Sequence, residues 1–298
     1  MDIIAFGCSL GAMICWGVSP VLYRFCGRDL PPERMQASRS LSFFATALLL
    51  CLIQRAPLWP GWIPVLVLLG SSALVLGLGD SLYFQCVSRV GAGKAAALCY
   101  TFPVFSVVES WLLMDEGLSW GGMAGVFTVV LGLILLCCFK DECSGLGDRP
   151  IKEGFVIGIL SGLCWSTGSV SIRWAMLHTS LHPAAAVFWR ALALLVFAWC
   201  GYLKLRRKSP APMPAIPLTS LPEWLMFLSG AFVLTLPNWL IAIALQRASA
   251  SVVTPVSGGS PALAAVLGCW FFGERITAPQ WLGVFCIIGG GIIVSLLK

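Results

Sequence analysis

The chain has 298 residues, of which 58% are hydrophobic and only 11% are charged. This composition excludes an ordinary soluble domain, in which about 25% of residues are charged, and it indicates an integral membrane protein. The formal net charge of +6 comes mostly from lysine and arginine between the apolar stretches. That placement is typical of membrane topology and not of nucleic-acid binding.

Ten apolar stretches in the sequence are long enough to cross a hydrocarbon core of about 30 Å. The stretches are continuous and do not alternate, so they predict helices, which satisfy their own backbone hydrogen bonds inside lipid. The first stretch has no basic leader, so we expect it to remain as helix 1 and not to be cleaved as a signal peptide. The predicted spans lie near residues 3–23, 35–54, 62–88, 92–114, 120–139, 154–176, 184–203, 222–246, 249–272 and 279–297.

The second half of the sequence repeats the first. At a shift of 158 residues, the match runs without a gap from the end of helix 3 into helix 5, and near the beginnings of the halves the shift is slightly smaller. Two copies of one membrane unit are typical of transporters. The matched positions are Arg89 with Arg247, Pro103 with Pro261, Glu116 with Glu274, Gly125 with Gly283, Gly132 with Gly290, Trp16 with Trp165, Arg24 with Arg173 and Arg39 with Arg190.

A linker of mixed charge at residues 141–153 separates a first repeat, residues 1–140, from a second repeat, residues 154–298. Each repeat holds an odd number of spans, so the second must enter the membrane from the opposite side. The predicted fold is therefore an all-α integral membrane protein with ten transmembrane helices arranged as two inverted five-helix repeats. Such pairs allow alternating access to a site near the midplane.

Ionisable residues inside the predicted spans are candidates for function, because a charge at the bilayer centre costs about 2.5–3.5 kcal/mol and normally faces protein or water. Asp80 aligns with Asn238 at the same shift, so polar residues occupy equivalent places in helices 3 and 8, each after a Gly or Pro. We expect this pair to line a substrate cavity. The ionisable residues within the spans are Arg39, Asp80, Glu109, Arg173 and Arg190.

Aromatic side chains form the second part of the predicted cavity. Tyr83 lies about one turn from Asp80 and should share its face, and Trp16, Trp165 and Trp239 occur on helices 1, 6 and 8. Such walls suit an organic substrate with an apolar part and can hold an ammonium group through a cation–π contact of roughly 0.5–2 kcal/mol. The alternative is that these rings only pack the helices together or anchor them at the membrane surface.

Two prolines are expected to interrupt their helices and allow a bend. Pro103 lies in helix 4, and Pro261 ends the most broken stretch of the sequence, which begins at Thr254 in helix 9. In this stretch, Ser257 and exposed carbonyl groups could bind substrate. The small residues could equally serve close helix packing.

Glu109 and Asp80 are the candidate proton carriers for coupled transport. Glu109 has two further interpretations, as a static partner for an arginine or as a residue close to the turn at Asp115 and Glu116 that reaches the interface. Glu116 and its counterpart Glu274 end helices 4 and 9. We expect these two residues to stabilise the turns into helices 5 and 10.

Taken together, these motifs resemble the drug/metabolite transporter superfamily, and specifically its ten-helix EamA-type members, over nearly the whole chain. The motifs are the matched Pro, Glu and Gly positions of helices 4–5 and 9–10, the Trp-Gly and Trp-Ser pairs of helices 1 and 6, and the arginines entering helices 2 and 7. The resemblance implies a basket of helices 1, 3, 4, 6, 8 and 9 around a central cavity lined by Tyr83, Tyr100 and Trp165. It also implies export of amino acids or related metabolites. Together with the aromatic walls, it predicts a secondary-active exporter of small organic metabolites, such as amino acids or amines, that works by alternating access.

Other chemistry is sparse. Most of the 13 cysteines fall inside apolar spans and none form a Cys-x-x-Cys pair, so we predict no metal site, redox site or cofactor. No phosphate-binding loop occurs, which argues against an ATP-driven pump. The expected partners are a small-molecule substrate and membrane lipid, with no nucleic acid. The sequence does not determine the oligomeric state and is compatible with a monomer.

Two rival functions remain. A membrane enzyme would need a nucleophile, a metal or paired carboxylates at one depth, and the sequence offers none. The second rival is a non-transporting sensor or scaffold. The absence of a sizeable extramembrane domain from the sequence argues against it.

The orientation in the membrane has two interpretations. With Arg39 and Arg190 assigned to helices, thirteen lysines and arginines lie on the side of the turn between helices 1 and 2, and four lie on the opposite side. The positive-inside rule then places both termini outside the cytoplasm. The family resemblance implies that both termini are inside.

Overall fold

A computed structural model of the chain describes residues 1–26, 30–90, 98–138, 151–209, 213–272 and 277–297. Within these residues the chain forms ten helical spans and no strand. The spans are α1 (Ile3–Cys26), α2 (Pro32–Ile53), α3 (Trp62–Ser72, a π-helical segment Ala73–Gly79, and Asp80–Val90), α4 (Phe102–Met114), α5 (Trp120–Cys138), α6 (Ile151–His178), α7 (Pro183–Lys208), α8 (Leu221–Ser229, a π-helical segment Gly230–Thr235, and Leu236–Arg247), α9 (Ala250–Ser257 and Ser260–Phe272) and α10 (Ala278–Leu296).

Six helices of the described chain are long and apolar enough to cross a membrane, and α1, α4 and α5 contribute shorter apolar helices. Large apolar side chains such as Phe127, Phe232 and Phe285 remain about two-thirds exposed on the outer surface, as expected where lipid tails and not water surround the helices. The prediction of an all-α, multi-pass membrane protein is therefore confirmed. The predicted start of the fourth span and most of the predicted linker lie outside the described residues.

Contacts between the two halves of the chain come in matched pairs. α3 packs against α6, and their counterparts α8 and α1 also pack together. The contact of α4 with α6 is matched by the contact of α9 with α1. In the same way, the contact of α3 with α7 is matched by the contact of α8 with α2. α2 packs against its own counterpart α7, and α5 against its counterpart α10. Each half thus uses equivalent helices to contact the other.

The pairing of α5 with α10 depends on glycines. A Cβ atom on Gly132 would lie 2.6 Å from the carbonyl oxygen of Gly283, and a Cβ atom on Gly125 would lie 2.9 Å from that of Gly290. Small residues of this kind let two backbones approach closely. The earlier glycine of α5, Gly125, lies against the later glycine of α10, Gly290, and Gly132 lies against Gly283. The two helices therefore run antiparallel.

π-helical segments occur at equivalent places in α3 and α8. The first ends at Gly79, immediately before Asp80, and the second ends at Thr235, three residues before Asn238. Such segments widen a helix locally and occur often at functional sites.

The chain also breaks at equivalent places before the two matched prolines. Tyr100 and Thr101 form a turn before α4, and Gly258 and Gly259 form a turn within α9. Pro103 and Pro261 are each the second residue of the helical segment that follows, where the missing backbone N–H costs no hydrogen bond. The break in the helical backbone thus comes just before each matched proline and not at it.

An ion pair ties the turn between α4 and α5 to α6. Arg173 donates from Nε and Nη2 to Oε1 of Glu116, at 3.0 and 2.5 Å, and from Nη1 to the carbonyl oxygen of Leu245 at 2.7 Å. The arrangement agrees with the structural role expected for Glu116. Its counterpart Glu274 lies outside the described residues.

We expect Glu116→Gln to lower the free energy of unfolding by about 1.5–3 kcal/mol, because it weakens hydrogen bonds made to a charged group. Thermal unfolding in detergent measures the change. Glu153→Gln serves as the matched control, since Glu153 is exposed and lies 3.8 Å from Arg89, a pair expected to contribute about 0–1 kcal/mol. Equal shifts for the two variants would contradict the role assigned to Glu116.

Candidate functional site

A buried ion pair joins α2 to α3. Nη2 of Arg39 donates to Oδ2 of Asp80 at 2.6 Å, and Nε of Arg39 donates to Oε1 of Gln36 at 2.6 Å. The side chain of Arg39 is 3% exposed and that of Asp80 is 16% exposed. The pairing offsets the cost of placing both charges inside a membrane protein.

The second half repeats this contact with one change. Nη1 of Arg190 on α7 donates to Oδ1 of Asn238 on α8 at 2.5 Å, and Nδ2 of Asn238 donates to the carbonyl oxygen of Leu234 at 2.8 Å. The sequence repeat aligned both partners with Arg39 and Asp80, and here they meet in the same way. We call Arg39, Asp80, Arg190 and Asn238 the central polar cluster.

Aromatic rings adjoin Asp80 on its other side. Nε1 of Trp165 donates to Oδ1 of Asp80 at 3.2 Å. The ring centroids of Tyr83 and Tyr100 lie 5.4 and 5.5 Å from that of Trp165, and Phe102 lies 6.3 Å away. We call these four rings the aromatic group. Phe102 was missed in the sequence, where its position beside Pro103 was the available signal.

Close packing explains why Trp165 reaches Asp80. A Cβ atom on Gly79 would lie 3.0 Å from Cδ1 of the Trp165 ring, so the glycine leaves room for α6 to approach the π-helical segment. Ser161 on α6 also donates to the carbonyl oxygen of Gly79 at 2.9 Å. Two independent contacts thus hold α6 against the residue that precedes Asp80.

Glu109 on α4 is held by hydroxyl groups. Its Oε2 accepts from Ser166 and its Oε1 accepts from Thr167, both at 2.8 Å, and Ser106 donates to Ser166 at 3.2 Å. In the described part of the chain, no hydrogen bond or ion pair joins Glu109 to an arginine. Ser166 belongs to the Trp-Ser pair that contributed to the family resemblance, whereas the next residue, Thr167, was not singled out in the sequence.

Three other predicted cavity residues make different contacts. Trp16 packs against the apolar cluster around α1, α6 and α8, and Trp239 packs against the cluster that contains Phe43. Ser257 is buried and donates to the carbonyl oxygen of Thr254 at 3.3 Å. Among the described contacts, no hydrogen bond or ring contact links these three residues to Asp80 or Trp165.

The turn within α9 nevertheless reaches the aromatic group by another residue. Oγ of Ser260 donates to the hydroxyl oxygen of Tyr100 at 3.2 Å. The broken stretch that the sequence marked around Ser257 therefore contacts the predicted site through Ser260, next to Pro261.

Comparison with known proteins agrees with this architecture. A protein of known crystal structure superposes with a TM-score of 0.81 at 19% identity and covers 100% of this chain and 98% of that one, a likeness that shows the fold. An uncharacterized transporter of Archaeoglobus fulgidus is 26% identical over 284 residues, 94% of each chain. YedA, an uncharacterized inner membrane transporter of Escherichia coli K12, is 25% identical over 303 residues, 98% of this chain and 91% of that one.

The sequence pattern of the EamA-like transporter family matches residues 3–138 and again residues 152–296. Together these two segments cover nearly all of the chain. The described residues form ten helical spans, and the two halves make matched contacts. Together with the double family match, these observations lead to one conclusion: the protein is a multi-pass membrane transporter that belongs to the EamA-like transporter family.

Proposed function

We propose that the protein is a secondary-active transporter that exports small organic metabolites, such as amino acids or amines, by alternating access through a central cavity. The observation that carries the proposal is the central polar cluster, joined to the aromatic group through Asp80. Charged residues at membrane depth are expensive and are typically kept where a substrate or ion passes.

Alternating access requires two conformations of similar free energy. In an inverted repeat the two halves can exchange conformations, which opens the same site first to one side and then to the other. The matched contacts between the halves and the antiparallel run of α5 and α10 support such an inversion. The turns before Pro103 and Pro261 give α4 and α9 places where a change of backbone angles can be accommodated.

The aromatic group supports the choice of substrate class. Trp165, Tyr83 and Tyr100 offer apolar faces within reach of the Asp80 carboxylate. An organic molecule with an apolar part can stack on these rings, and an ammonium group is attracted both to the ring faces and to the carboxylate.

Coupling to protons is assigned to Glu109 and Asp80. Glu109 is the better suited of the two, because its partners Ser166 and Thr167 are hydroxyl groups, which can reorient to donate to a carboxylate or to accept from a carboxylic acid. Asp80, by contrast, already accepts hydrogen bonds from Arg39 and Trp165.

Efflux from liposomes that contain the purified protein tests the proposal. We expect labelled amino acids or amines to leave the vesicles, a pH gradient to accelerate efflux, and Glu109→Gln to reduce that acceleration at least tenfold. Thr128→Val is the control, since among the described residues Thr128 on α5 donates within its own helix to the carbonyl oxygen of Ala124 and to no other group.

Three outcomes would count against the proposal. If Asp80→Asn and Glu109→Gln transport as fast as the unchanged protein and no pH gradient matters, proton coupling is refuted. If the protein moves substrate only in the direction that corresponds to uptake into the cell, export is refuted. If no small solute moves at all, the alternative function of a non-transporting membrane sensor or scaffold is favoured.

A further inference from the structure

The two halves of the protein differ by one charge at the central polar cluster. Arg39 contacts the carboxylate of Asp80, whereas Arg190 contacts the neutral amide of Asn238. Within the described part of the chain, the cluster therefore contains two guanidinium groups and one carboxylate. A net positive charge remains in the interior of a membrane protein, where an uncompensated charge is costly.

In the described part of the chain, no hydrogen bond joins Asp80 to Arg190. Its Oδ2 accepts from Arg39 and its Oδ1 accepts from Trp165. Arg190 interacts with Asp80 only electrostatically over a longer range. Of the two arginines in the cluster, Arg39 is therefore hydrogen-bonded to a carboxylate, and Arg190 is not bonded to one among the described residues.

Arg190 is also unsatisfied in its hydrogen bonds. Its side chain is buried, with 5% of the residue exposed, and among the described residues its Nε atom has no hydrogen-bond partner. Asn238 holds Nη1 and thereby orients the guanidinium plane. Arginine presents several N–H groups in a fixed plane that matches the two oxygens of a carboxylate.

We infer that Arg190 binds a carboxylate of the transported molecule, so that the substrates are carboxylates or zwitterions and not simple amines. The inference rests on the proposed transport function and narrows its substrate class. Asn238 acts as a positioning residue, since an amide keeps the arginine oriented without neutralising it. In a zwitterion, the carboxylate contacts Arg190 while the remainder of the molecule reaches Asp80 and the aromatic group.

The test compares three compounds that share a phenyl ring and differ in charge: phenylalanine, 3-phenylpropionate and phenethylamine. A second set, with leucine, 4-methylpentanoate and isoamylamine, covers aliphatic substrates. Binding to the purified full-length protein and efflux from liposomes are both measured, in chloride and in sulfate buffers. We expect the carboxylate-bearing compounds of at least one set to bind at least tenfold more tightly than the matched amine.

Three variants separate binding from folding. Arg190→Gln should lower carboxylate affinity at least tenfold, and Arg190→Lys should recover part of it. Asn238→Asp is nearly isosteric and places a carboxylate opposite Arg190, as Asp80 stands opposite Arg39. It should raise the melting temperature and yet lower carboxylate affinity at least tenfold, a combination that a purely structural role for Arg190 does not produce.

The outcomes distinguish the two proposals. Selective binding of carboxylates without transport would refute the transport function and support the role of Arg190. Equal transport of acids and amines, or carboxylate affinity that Asn238→Asp leaves unchanged, would overturn the inference and leave the transport function standing. If chloride alone displaces every carboxylate and binds with equal affinity, Arg190 holds an inorganic anion, which also overturns the inference. If the protein neither binds nor transports any of the compounds, both the inference and the proposed transport function are overturned.

Discussion

Asp80→Asn is expected to lower the free energy of unfolding by about 3–5 kcal/mol, because it removes one partner of a buried ion pair and leaves the other charge uncompensated. The effect should be large here, since Arg39 is 3% exposed and donates to Asp80 at 2.6 Å. In addition, Arg190 loses the carboxylate with which it interacts electrostatically. Thermal and chemical unfolding of the purified protein in detergent measure the change.

Asp2→Asn is the control for this substitution. Asp2 pairs with Arg247 at 3.1 Å in an exposed ion pair, and its Oδ1 accepts from the backbone N–H of Ala5 at 2.6 Å. Asparagine can keep the second contact, because it caps helices about as well as aspartate. The control should therefore unfold close to the temperature of the unchanged protein.

A rescue variant sharpens the test of Asp80. Asp80→Asn combined with Asn238→Asp restores one carboxylate to the central polar cluster and moves it from Arg39 to Arg190. Part of the lost stability should return, because residues in one polar network do not contribute additively. If Asp80→Asn unfolds like the control, or if the double variant is no more stable than the single one, the ion pair does not stabilise the fold as we describe.

Gly290→Ala is expected to lower the free energy of unfolding by about 1–3 kcal/mol or more, the usual cost of overpacking a well-packed interface. A Cβ atom on Gly290 would lie 2.7 Å from the carbonyl oxygen of Gly125 and 2.8 Å from the backbone nitrogen of Val129. Backbone atoms cannot turn away as a flexible side chain can, so α5 and α10 must separate. The yield of folded protein and its melting temperature measure the result.

The preceding residue supplies a matched control. A Cβ atom on Gly289 would have nothing within 4 Å, and alanine is a better helix former than glycine by about 1 kcal/mol. Gly289→Ala should therefore fold at least as well as the unchanged protein. If both alanine variants behaved alike, close glycine packing between α5 and α10 would be refuted.

The repeat in the sequence predicted more of the central polar cluster than any single residue did. Arg39 aligned with Arg190 and Asp80 aligned with Asn238, and each arginine contacts the polar residue of the neighbouring span. Tyr83, Tyr100 and Trp165 lie close together, and their lining of a central cavity, which the family resemblance implies, stays a prediction. For Trp16, Trp239 and Ser257 the described contacts are with packing neighbours, an alternative that the sequence had left open.

Length and apolar composition were sufficient to locate the helical spans, because a segment that crosses lipid must be long, apolar and self-satisfied in its backbone hydrogen bonds. They could not define which way each span faces. In a membrane protein the lipid-facing and protein-facing sides of a helix are both apolar, so periodicity carries little information about rotation. Helix rotation and packing determine that Asp80 bonds Arg39 and Trp165 at once and that Glu109 meets Ser166 and Thr167. They also determine that Nε of Arg190 has no hydrogen-bond partner among the described residues.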